Sequence, residues 1–284
     1  MPRTRVTAPK AARPQESAPT VPNLRESRYS QSLERGLAIL SCYTAERPTM
    51  GIADIADALG MSRSTTHRYT ITLVALGYLE QGPSRKYRLG MRATDLGMSV
   101  LNSIGLREQS RPLLAELRDR TGYSAGLSIL DGVAILYVDR ARSFRPGQSK
   151  LELGLHPGSR LPAHATAMGK LLLANLAESE REELLSDLTQ TKHGPNTITS
   201  KRALREELQR VREEQFATND EELAAGLHAI AAPVRDSTGV VVAAASMSAH
   251  TSAISSGELI DALGPYLIST ADRLSSTLGY HDGE

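Results

Sequence analysis

MSRSTTHRYTITL, residues 61–73, follows directly on Gly60 and sets Arg63, His67 and Arg68 among small hydroxyl residues. Ser62 offers an N-cap, and Thr66, Tyr69, Leu73 and Leu76 recur at spacings of three and four, which predicts a helix with those four side chains inward. Just upstream, Ile52, Ile55, Ala56 and Leu59 mark a shorter amphipathic helix ended by Gly60, a residue able to take the left-handed conformation of a turn. Ala56 is small where the two helices would touch. Thr66 faces inward with its methyl, where a branched aliphatic residue is more usual. The outward face then carries Arg63, Ser64, His67 and Arg68, with Thr65 beside them. Before this pair, Leu33, Leu37, Ile39, Leu40 and Tyr43 predict a first helix from Ser32, with Pro48 beyond its end. After it, YLEQGPSRKYRLG (78–90) reads as a β-hairpin about a Gly-Pro-Ser turn, with Arg85, Lys86 and Arg88 near the tip.

Charge supports a polyanion partner for this region. The chain's net charge is +1, yet residues 1–90 hold 13 Lys plus Arg against 7 Asp plus Glu, while the remainder holds 20 against 25. Residues 1–28 supply +4 of the excess, so a merely solubilising tail is one reading of the asymmetry. Two close helices, a sharp turn, an outward basic face and a basic wing together favour double-stranded DNA as the partner. A packed subdomain with a solvated basic face is the plainer alternative.

The 284 residues suffice for two domains, and 40% hydrophobic with 23% charged residues is ordinary for a globular protein. No apolar run approaches the roughly 18 residues of a membrane span, and the N-terminus lacks an apolar leader core, so a cytoplasmic location with no membrane partner is expected. Cys42, the single cysteine, lies in an apolar run and reads as a small core residue. Residues 1–28 read as a flexible basic arm, 29–90 as a winged helix-turn-helix domain, 91–106 as a linker helix and 107–284 as a second domain. Breaks in the helical stretch 91–122 are expected near Gly105 and Pro112. AGLSILDGVAILYVDRA (125–141) predicts two strands about a tight Asp-Gly turn. A short strand near LELGL follows, then helices at 165–176, 178–188 and 200–214, strands at 227–235 and 239–249, and a closing helix at 256–279. The class is α+β with a largely antiparallel sheet.

In that second domain RLPAHATAMGKLLLA (160–174) runs from a loop into an apolar helix, placing the amides of Ala165 to Met168 at a helix start, where a carboxylate is attracted. Ser246 and Ser248 fall on one face of an otherwise apolar strand. Arg142, Arg145 and Arg160 are candidates for added charge at the mouth of such a pocket. Gly169-Lys170 lacks the other residues of a phosphate loop, and His156 and His164 have no ligand spacing. No nucleophile elbow or acid–base constellation is present, so no catalytic residue, cofactor or metal is expected.

The motifs SLERGLAIL, GIADIADALGMSRSTTHRY, GSRLPAHATAMGKLLLA and NDEELAAGLHAIAAPVRD, followed by AAASMS, resemble those of the isocitrate lyase regulator (IclR) family of bacterial transcription factors, from about Ser32 to Tyr280. RKYRLGMRATDLGMS, GPNTITSK and YVDRARS look most like the branch controlling aromatic-acid catabolism through β-ketoadipate. The resemblance implies a GAF-like effector-binding domain, with effector contacts at Ala167, Met168, Asn219, Leu227, Ala229, Ser246 and Ser248. Asn219 stands where an acidic residue is common in the family, and Ala229 where a cysteine can occur. It also implies a small organic or aromatic acid as effector, promoter DNA as partner, and self-association as a dimer through Leu33 to Tyr43 and the linker helix, a tetramer remaining open. Regulation of glyoxylate or pyruvate metabolism, a small-acid enzyme with a basic module, and a nonspecific nucleoid binder are the competing expectations.

Overall fold

The computed structural model describes residues 29–44, 47–96, 106–144 and 154–281. The expected arm, Gly105, Arg145 and the first residues of LELGL lie outside these, as do residues 97–105 of the expected linker helix; 91–96 are helical. Two compact units divide the chain, Met1–Asp95 and Leu96–Glu284.

The first unit contains α1 (Gln31–Ser41), α2 (Ile52–Leu59), α3 (Arg63–Ala75), β1 (Leu79–Gln81) and β2 (Tyr87–Leu89). Gly60 caps α2 at φ +63°, and the Ser62 hydroxyl accepts from the Thr65 amide to start α3. Ile39, Tyr43, Met50, Ile55, Leu73, Leu79 and Tyr87 form the core. Two expectations change. Leu76 is exposed while Thr70 is buried, because α3 ends at Ala75 and its inward stripe runs Thr66, Thr70, Leu73. Leu33 and Leu37 are 63% and 54% exposed, one turn apart on the outer side of α1. Met50 bridges Tyr87, adding a third stretch of backbone to the β1–β2 wing.

The second unit contains α4 (Leu106–Thr121), β3 (Ser124–Asp131), β4 (Ala134–Ala141), β5 (Arg160–Pro162), a 3-10 turn (Ala163–Ala165), α5 (Ala167–Asn175), α6 (Glu178–Asp187), α7 (Lys201–Glu214), β6 (Ala217–Asp220), β7 (Leu227–Arg235), β8 (Val241–His250) and α8 (Ser256–Thr277). The six strands form one antiparallel sheet in the order β5-β4-β3-β8-β7-β6. Apolar residues of α4 and α8 cover one face, packed on Leu127, Val138, Ile230, Val234 and Met247. Those of α5 and α7 cover the other, with Ile135, Tyr137, Ala231 and Ala244.

Pro112 does not break α4. The carbonyl that loses its bond belongs to Glu108, which is exposed and so open to solvent. The β3–β4 loop is Gly132-Val133 rather than Asp-Gly, since Asp131 pairs with Ala134; Gly132 alone takes positive φ, +59°. β6 has no counterpart among the expected strands, β5 lies at 160–162, and most of the strand expected near LELGL lies outside the described residues. Among the described residues no helix is long and apolar enough to cross a membrane.

Candidate functional site

On the first unit, Arg63, Ser64, His67 and Arg68 are exposed along the start of α3, with Thr65 half-buried. Arg68 lies over the Tyr69 ring at 5.6 Å. The wing tip exposes Arg85 and Lys86, Arg85 at φ +58°. Arg88 differs from them: its guanidinium meets Glu80 across the hairpin at 2.8 Å, which cancels its charge locally. Five residues of α3 and two of the wing thus form an outward polar and basic surface.

In the second unit the sheet face beneath α5 is lined by small residues. One cross-strand row reads Asn219, Ala229, Ser248, Ser124 and the next reads Ala217, Ala231, Ser246, Gly126. Side chains of this size do not fill the space under the helix, and a cavity of about 50 Å³ remains, where roughly 10–15 Å³ holds a water. All seven residues expected there line it: Ala167, Met168, Asn219, Leu227, Ala229, Ser246 and Ser248. At the start of α5 the Thr166 hydroxyl accepts from the Gly169 amide at 3.0 Å, leaving the Ala167 and Met168 amides without intrahelical partners. Neither Ser246 nor Ser248 has a side-chain hydrogen bond among the described residues.

The wall also holds residues that sequence reading missed, above all Tyr137 and Arg140. Arg140 donates to the Leu155 carbonyl at 3.0 Å, and no carboxylate pairs with it among the described residues. Burial pulls its pKa down, Tyr137 opposes this and Arg142 adds to it; an arginine nonetheless stays charged. A partly desolvated cation without a counter-ion favours an anion in the cavity. Arg160 instead pairs with Asp131 at 2.7 Å, and Arg142 has other interactions; neither lines the cavity.

Both domains can now be compared with known proteins. Residues 32–83 match the IclR helix-turn-helix domain, and residues 98–276 match the bacterial transcriptional regulator IclR C-terminal domain. The chain belongs to the IclR family. It is 37% identical over 251 residues to the HTH-type transcriptional regulator XynR of Escherichia coli (strain K12), covering 88% of this chain and 98% of that one. It is 33% identical to the p-hydroxybenzoate hydroxylase transcriptional activator of Acinetobacter baylyi, covering 88% and 93%. A crystal structure of an IclR homolog from Microbacterium hydrocarbonoxydans complexed with 4-hydroxybenzoate superposes with a TM-score of 0.75 at 27% identity, covering 87% and 98%. As an IclR-family member the chain is a DNA-binding transcription regulator with a C-terminal effector-binding domain.

Behind the cavity, the IclR-family segment holds a buried ionic cluster absent from the sequence-based expectations. The Lys170 ammonium, 1% exposed, donates to Glu207 at 2.8 Å and to Glu222 at 2.6 Å. Burial pushes the Glu222 carboxyl above its ordinary range despite Lys170. For Glu207 burial acts the same way, but hydrogen bonds and charge from Arg210 and Lys170 outweigh it and hold the carboxyl low. Lys170 thus ties α5 to α7 and to the segment after β6. His164 is also buried, its Nε2 3.1 Å from the Thr191 carbonyl. Asp220, Glu221 and His228 bring ligand-type atoms within 4.8 Å of one another, though His228 already meets Asp220 at 2.8 Å.

Gly169 allows α5 to begin where it does. A Cβ there would lie 2.2 Å from the Ala163 carbonyl oxygen, which is backbone and cannot swing aside. Gly169→Ala is therefore expected to destabilise the domain by about 1–3 kcal/mol, read by urea unfolding, and to weaken ligand binding with it. An unchanged midpoint would show that the Ala163 turn is free to shift.

Proposed function

We propose that this IclR-family regulator binds operator DNA through Arg63, Ser64, Thr65, His67 and Arg68 with the wing residues Arg85 and Lys86, and responds to a small carboxylic acid held in the cavity under α5. The observation that carries the reading is the convergence of two free helix-start amides, two unengaged serines and the uncompensated Arg140 on one cavity. An acid of aromatic catabolism, such as 4-hydroxybenzoate, protocatechuate or β-ketoadipate, is the preferred effector class. It is supported by the 4-hydroxybenzoate complex of an IclR homolog and by the kinship with a p-hydroxybenzoate hydroxylase activator. A cavity of only about 50 Å³ favours a second reading, a compact acid such as glyoxylate or pyruvate, because it fits a few waters at roughly 10–15 Å³ each without rearrangement. The exposed Leu33 and Leu37 suit a homodimer contact, which matches two-fold operators.

Thermal unfolding of the purified protein with each of these five acids tests the effector class. A ligand at 100 times its dissociation constant that binds only the folded state stabilises it by roughly 2.7 kcal/mol. A saturable rise with an aromatic-pathway acid supports the preferred class. A rise with pyruvate or glyoxylate alone selects the second, and no rise with any of the five contradicts both.

For DNA, the operator is recoverable by selecting duplexes from a random pool. Arg68→Ala is expected to weaken binding to that duplex by about 1–3 kcal/mol and leave acid binding unaltered. Undiminished operator affinity in an electrophoretic shift assay would remove Arg68 from the interface.

A further inference from the structure

We infer that the cavity selects acids that also carry a hydrogen-bond donor, and that Asn219 reads that donor; this rests on the proposal that the cavity binds an acid. Asn219 lines the cavity on β6 and is 1% exposed. Its Nδ2 donates to the Ala165 carbonyl at 2.6 Å. That carbonyl only accepts, so turning the amide over would set two oxygens against each other, and the side chain is held in one orientation. Its Oδ1 is thereby fixed as well, and it has no hydrogen-bond partner. Buried acceptors are almost always satisfied, so this orphan calls for a partner.

The other polar groups around the cavity define what that partner is. The Arg140 guanidinium and the Ala167 and Met168 amides are donors alone, and Ser246 and Ser248 are able to donate. All of them suit a carboxylate. Asn219 Oδ1 does not, because two acceptors repel; it needs an O–H or N–H. Asn219 stands on the edge strand β6, while Arg140 stands on β4 opposite Gly126, on the other flank of the lining. The lining therefore offers donors for the acid group and, at Asn219, a fixed acceptor that suits a hydroxyl. An aspartate at this position could not keep the bond to Ala165 without a proton, so asparagine secures both orientation and acceptor.

Two ligand pairs test this by isothermal titration calorimetry: 4-hydroxybenzoate against 4-fluorobenzoate, and lactate against propionate, each second member lacking the hydroxyl donor. The expected result is that the hydroxylated member of at least one pair binds about tenfold tighter or more, since its partner leaves the buried acceptor unmatched. In Asn219→Leu the ratio should fall close to one. Equal binding of both members to the unaltered protein overturns the inference, as does an unchanged ratio in folded Asn219→Leu. Should Asn219→Leu fail to fold, the ratio in the unaltered protein decides. Preference for lactate over propionate with no aromatic binding would sink the aromatic reading and leave the donor rule standing. Binding of none of the four overturns both.

Discussion

Replacing Lys170 with methionine is expected to destabilise the effector-binding domain by about 3–5 kcal/mol, because it strands the buried Glu222 carboxylate, which has no other cation partner among the described residues, while part-buried Glu207 keeps Arg210. For a domain of this size that lowers the melting temperature by roughly 10 °C. The pH dependence has a definite sign. Burial already holds the Glu222 carboxyl above its ordinary range, and Lys170 is the main opposing charge, so in the variant the contribution of this group is present at low pH and lost as pH rises through the folded pKa. The deficit should therefore be smaller at pH 5 than at pH 8. Adding Glu222→Gln to Lys170→Met should recover part of the loss. A deficit independent of pH would mean that Lys170 acts through packing alone.

Replacing Arg140 with methionine should separate stability from binding. The guanidinium is partly desolvated and has no carboxylate partner among the described residues, so its removal is expected to leave the melting temperature unchanged or higher. Acid affinity should fall about 10- to 150-fold, the range for losing a charged hydrogen-bond partner. Operator binding without ligand should not change. Unaltered acid affinity would place the carboxylate on the Ala167 and Met168 amides and the two serines instead.

Local signals made the first unit legible in sequence. Gly60, Ser62 and the i, i+3, i+4 stripe each act within a few residues, and they positioned α2, the turn and α3. Leu33 and Leu37 fit the periodicity of α1 yet are exposed, because periodicity gives the spacing of apolar residues and not which of them meet the core. In the second unit alternation along β8 puts Ser246 and Ser248 on one face, whereas the other five expected cavity residues rest on the family resemblance. Arg140 was missed for a physical reason. A bulge at Leu127/Ser128 shifts the register, so Tyr137 and Arg140 stand opposite Ser128 and Gly126 on one face although three residues apart. Simple alternation puts them on opposite faces. Lys170 was invisible for another: its partners lie 37 and 52 residues away, and nothing local marks a lysine in an apolar helix as ion-paired.

Acid binding under α5 is expected to change the affinity of the winged helix for DNA. Fluorescence anisotropy of the selected operator duplex, titrated with protein at zero and at saturating concentration of the acid that raises the melting temperature, tests it most directly. The expected result is a change in operator dissociation constant of about 5-fold or more, reached at far higher acid concentration in Arg140→Met. An acid that saturates the cavity and leaves the operator dissociation constant unchanged would contradict it.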